Sequence, residues 1–217
     1  MKTSILITLA LIHAFSTAVQ AAIISSVPFI ITAPGVYTVS QDLNGTGYQA
    51  AITIATSVQG SVVVDLGGHT LSGSGQNVGI QIGRFPDDQN TINKYPITVR
   101  NGSLANFNIA VATSAHPGAL ASITATNLKI TFPGGATTSR VIGIALDAVN
   151  GAVISNCSFA NPNPANSNAG ISQNPAGENN VIQNCTFLNV ATDLELFRPA
   201  DGVVKTLQSL SWQTAKK

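Results

Sequence analysis

Two families of short apolar–polar alternation run through this chain. The first is seen in Val64-Asp65-Leu66-Gly67-Gly68-His69-Thr70-Leu71, Ile97-Thr98-Val99-Arg100-Asn101-Gly102-Ser103-Leu104, Ile123-Thr124-Ala125-Thr126-Asn127-Leu128-Lys129-Ile130, Ala152-Val153-Ile154-Ser155-Asn156-Cys157-Ser158-Phe159 and Asn180-Val181-Ile182-Gln183-Asn184-Cys185-Thr186-Phe187. Laid over one another, these place Gly68, Asn101, Asn127, Asn156 and Asn184 at one position, in steps of 33, 26, 29 and 28 residues. Two residues before that position stands Leu66, Val99, Ala125, Ile154 or Ile182; three after it stands Leu71, Leu104, Ile130, Phe159 or Phe187. The second family contains Ile52-Thr53-Ile54, Ile80-Gln81-Ile82, Ile109-Ala110-Val111, Ile144-Ala145-Leu146, Ile171-Ser172-Gln173 and Leu194-Glu195-Leu196. A period of two marks strands with one buried face. β-Branched residues between Gly, Asn and Ser turns reinforce the reading. Helical periodicity is confined to Val203–Leu210.

A repeat of this length, with alternating strands, predicts an all-β solenoid: a single-stranded right-handed parallel β-helix of about five to six rungs. Each strand would pair with its equivalent one rung away, and the corner Asn101, Asn127, Asn156 and Asn184 would stack as a structural ladder with buried amides. A β-sandwich also accommodates many short strands, but it does not explain Asn recurring at one register. Cys157 and Cys185 share a register, so their Cα atoms should lie near the ~4.8 Å strand spacing, within reach of a disulfide. Parallel stacking and the use of buried Cys as apolar filler argue equally for free thiols. His69 falls at the corner equivalent to Cys157 and is expected to pack there.

The N-terminus changes the setting. Lys2, the apolar run Ile5–Phe15 and the small residues ending at Ala21 form a secretory signal over residues 1–21, leaving 22–217 as the β-helix domain with short capping segments. The run is shorter than the ~20 residues of a membrane span, so no span is expected. Only 9% of residues are charged, and removing Lys2 leaves 9 basic residues against 9 acidic ones. That balance excludes a polybasic nucleic-acid binder. Asn44, Asn101, Asn156 and Asn184 begin Asn-X-Ser/Thr triplets; of these, Asn44 reads as the exposed loop acceptor.

The segments Ile31-Thr32-Ala33-Pro34-Gly35-Val36-Tyr37 and Val62-Val63-Val64-Asp65-Leu66-Gly67-Gly68-His69-Thr70-Leu71 carry a resemblance to a known family. Over about Ile30 to Val190 the chain resembles the pectin-lyase-like right-handed β-helix superfamily, and within it small secreted bacterial β-helix-repeat proteins. The resemblance implies a fold more than a reaction, because that superfamily houses lyases, hydrolases, epimerases and adhesins. Where the family pattern has Asn after the Asp-Leu step this chain has Gly68, so the ladder should begin one rung later.

Lyases of such a fold use a basic Arg or Lys and a Ca²⁺-holding carboxylate cluster, and the hydrolases use facing carboxylates. Here the outward residues of the second strand family are Thr53, Gln81, Ala110, Ala145, Ser172 and Glu195, a nearly uncharged face. The polygalacturonase patterns Asn-Thr-Asp, Gly-His-Gly and Arg-Ile-Lys are absent. The charged cluster is the insertion between Ile82 and Ile97. In it Asp87, Asp88, Lys94 and the nearby Arg100 are the catalytic candidates, and Asp87 with Asp88 the Ca²⁺ candidates. Arg84, Phe85 and Tyr95 are the candidates for gripping a sugar. Two adjacent carboxylates fall short of the ligands Ca²⁺ needs, so no cofactor is otherwise called for. Tyr48 and Trp212 complete the set of stacking aromatics. Three roles follow: polysaccharide association outside the cell, a small lyase or hydrolase, or a structural solenoid that associates end to end.

Overall fold

The computed structural model describes residues 20–83, 95–114, 122–135, 140–147, 149–173, 179–196 and 211–215. Every regular element among them is a strand, and all the strand pairs are parallel. In chain order these are β1 (Gln20–Ile24), β2 (Phe29–Ile31), β3 (Gly35–Val39), β4 (Leu43–Asn44), β5 (Ala50–Ile54), β6 (Val62–Asp65), β7 (Thr70–Ser72), β8 (Val78–Gly83) and β9 (Ile97–Ala105). Then come β10 (Ile109–Ser114), β11 (Ile123–Thr131), β12 (Val141–Leu146), β13 (Val153–Ser155), β14 (Ser158–Ala160), β15 (Asn168–Gln173), β16 (Val181–Leu188), β17 (Thr192–Leu196) and β18 (Ser211–Ala215). One sheet holds β2, β5, β8, β10, β12, β15 and β17 in that order; the other eleven strands form the second sheet. Consecutive passes of the chain therefore pair with one another twice over, an arrangement consistent with a parallel β-solenoid.

The core lies between the sheets and is built in columns. Tyr37, Val64, Val99, Ala125, Ile154 and Ile182 stack along the larger sheet, and Leu43, Leu71, Leu104, Ile130, Phe159 and Phe187 form a second buried column there. In the seven-stranded sheet Ile52, Ile80, Val111, Ile144 and Ile171 repeat the pattern. The Phe159 and Phe187 rings lie face to face, their centroids 4.9 Å apart and their planes within 6°. Small residues opposite make room for them. A Cβ at Gly143 would lie 2.7 Å from the Phe159 ring, and one at Gly170 would press still closer on the Phe187 ring.

The corner between the two halves of each large-sheet pass explains the recurring Asn. Asn101, Asn127, Asn156 and Asn184 all have left-handed backbone, with φ of 59°, 55°, 54° and 52°. Asn tolerates this region better than other residues bearing a Cβ, because its short amide bonds locally. Asn127 Nδ2 donates to Asn101 Oδ1, and Asn184 Nδ2 to Asn156 Oδ1, each at 3.2 Å. The amides are not buried: Asn127, Asn156 and Asn184 are exposed and Asn101 is half-buried. At the rung before Asn101 the amide meets a carboxylate. Asn101 Nδ2 donates to Asp65, which also accepts from Arg100 Nε at 2.8 Å and from the Gly67 amide at 3.0 Å.

One alignment drawn from spacing in this sheet shifts by two residues. Val64, not Leu66, is the partner of Val99, while Thr70 pairs with Ser103, so this first corner carries two additional residues. Gly67 and Gly68, at φ 60° and 83°, turn the longer corner. Leu66 drops into the interior against Gly102, whose missing side chain leaves the space. His69 is displaced outward by the same insertion: it is half-exposed, with Nδ1 3.6 Å from Asp42 Oδ1. β1 and β2 before Pro34 join the two sheets, as do β17 and β18 after Ala191. Gln20 and Ala21, at the expected cleavage point, pair with Gly35 and Val36.

Candidate functional site

On the seven-stranded sheet the outward row runs Ile30, Thr53, Gln81, Ala112, Ala145, Ser172 and Glu195, each paired with the next. Ala110 does not belong to it. Ile109 pairs with Val78 and Val111 with Ile80, so Ala110 lies beside Gly79 at an inner bend and Ala112 takes the place in register with Gln81; both alanines are buried.

At the N-terminal end of this row the surface is hollowed into a groove of about 780 Å³. Its floor is Thr53 and Gln81, and Ile30, Tyr48, Gln49 and Gln76 line it further. Ile30 is 63% exposed and Tyr48 43%. Two loops, 45–49 and 74–77, are held together by one buried amide. Asn77 Oδ1 accepts from the Ser74 amide at 3.0 Å, and Asn77 Nδ2 donates to the Gly45 carbonyl at 2.9 Å. The glutamines thus stand on loops fixed relative to the sheet. None of the described residues lining the groove is charged.

The far end of the row is different. Glu195 accepts a hydrogen bond from Ser172 Oγ at 3.1 Å and forms an ion pair with Arg140. These three do not read as a cluster in the sequence, since Arg140 belongs to neither alternating family and sits 55 positions from Glu195.

Of the sequence candidates, Arg84, Phe85, Asp87, Asp88 and Lys94 lie outside the described residues. Tyr95 is exposed just before β9. Arg100 belongs to the larger sheet, not to the sheet carrying the groove, and its guanidinium is paired with Asp65. Burial of the Asp65 carboxyl acts to raise its pKa, but the hydrogen bonds from Gly67, Arg100 and Asn101 and the Arg100 charge outweigh it and hold it below the usual carboxylate range. Trp212 falls in β18, against Cys185 in register.

Cys157 and Cys185 are buried free thiols. Cys157 Sγ donates to the Ser155 carbonyl at 3.3 Å and Cys185 Sγ to the Gln183 carbonyl at 3.4 Å. Contact with Cys185, together with burial, pushes the Cys157 thiol well above the ordinary thiol range. Among the described residues no group of three or more His, Cys, Asp or Glu is placed to hold a metal ion, and no helix is long and apolar enough to cross a membrane. No family model matches the chain, and neither the curated proteins nor the solved structures contain a match.

Proposed function

We propose that the protein is a secreted right-handed parallel β-helix of the pectin-lyase-like kind, with about five to six rungs, that associates with extracellular polysaccharide. The observation that carries this reading is the open groove on the outward row. It joins an exposed aromatic ring to amide side chains on fixed loops, a combination that offers a stacking face and paired donors and acceptors to sugar rings and hydroxyls. The parallel all-strand fold, the signal-like residues 1–21 and the near absence of charge accord with it.

Catalysis is the competing reading, and the outward row supports it less. Hydrolysis by two carboxylates needs a second acid at a set distance from the first. Glu195 is the single carboxylate on the row, and it is engaged by Arg140 and Ser172. Incubating the protein with a panel of pectic, alginate and neutral polysaccharides, with and without Ca²⁺, separates the readings. Retention on a polymer without new reducing ends or double bonds is expected. Cleavage abolished by Asp87→Ala or Asp88→Ala would replace association with catalysis and move the site to the 83–96 insertion.

A further inference from the structure

We infer that the groove beside Tyr48 takes a neutral glycan and discriminates against uronate polymers. The inference rests on the polysaccharide reading above and names the substrate class. A sugar carboxylate brought against Thr53, Gln81, Gln49 and Gln76 would give up hydration and meet no cation among the described lining residues, none of which is charged. Neutral hydroxyls lose far less, and each amide supplies both a donor and an acceptor for them. The Gln81 amide is lightly committed, its hydrogen bond to the Ile82 carbonyl being 3.4 Å long. Tyr48 and Ile30 give the apolar face of a sugar ring a surface, and their exposure has no other occupant among the described residues. The Arg140 guanidinium at the far end of the row is tied to Glu195 and so is not a free anchor for a carboxylate.

The test is affinity electrophoresis of the mature protein in gels containing neutral polymers (arabinan, galactan, xyloglucan, mixed-linkage glucan) or acidic ones (polygalacturonate, alginate). Retardation is expected with at least one neutral polymer, unchanged between low salt and about 0.5 M salt because no charge pair is involved. Tyr48→Ala should weaken it about tenfold, and Gln76→Ala by a smaller factor, both with an unaltered unfolding midpoint because both residues are exposed. Binding confined to the uronate polymers, or neutral binding that survives both variants, would overturn the neutral assignment while leaving polysaccharide association standing. A folded protein that no polymer retards would overturn both.

Discussion

Asn156 and Asn184 hold left-handed backbone and also share an amide hydrogen bond, so their contributions can be separated by substitution. Ala at position 156 loses the bond and strains the backbone, whereas Gly loses only the bond. Asn156→Ala is expected to cost about 1–2 kcal/mol more than Asn156→Gly in urea unfolding, the cost of a Cβ in that region. Equal losses would mean that the amide ladder, not the turn, selects Asn. At Asp65 the carboxylate collects the Gly67 amide, Arg100 and Asn101. Asp65→Asn should cost about 1–3 kcal/mol near neutral pH. Because the folded pKa is lowered, this stability is present above the ordinary carboxylate range and is lost as pH falls through the depressed value. The gap between wild type and variant, followed by urea midpoints, should therefore close on acidification. A gap that stays constant with pH would remove the charge from the argument. Cys157 and Cys185, being buried, should ignore a thiol reagent in the folded protein and react on unfolding.

At the scale of elements, much of the fold is legible in the sequence because a parallel in-register stack converts spacing directly into neighbourhood. The Asn steps place β9, β11, β13–β14 and β16 beside one another, as the pairings have them. What escapes the reading has local causes. Leu66 and Gly67 lengthen one corner without breaking the apolar alternation, so the repeat is read two residues out of place. Ile109-Ala110-Val111 imitates its neighbours in pattern, yet Val111 holds the equivalent place to Ile80. The aromatic column depends on absent side chains that no hydrophobic pattern records. Gly170→Ala would set a methyl hard against the Phe187 ring and 2.8 Å from the Asp193 carbonyl. It should destabilise by about 1–3 kcal/mol in chemical denaturation. A neutral result would show that the rings can slide aside.

For the molecule as a whole, the candidate site was half visible. Thr53 and Gln81 follow from strand alternation, and Tyr48 from its loop. Gln49, Gln76 and Asn77 stand on turns outside both repeats, so only the folded chain reveals that they converge. The same holds for Arg140 and Glu195, joined across the sheet rather than along a register. The pairing of each strand with its equivalent one pass away has a mechanical consequence. Pulled from its two ends, such a column need not rupture at once, since the outermost turn can peel while the rest stays hydrogen-bonded. The turn from Asn156 to Asn184 stores 28 residues. Peeling it would release roughly 90 Å of chain at ~3.4 Å per residue. Under load the column would therefore lengthen in steps, one turn at a time, rather than fail in a single event.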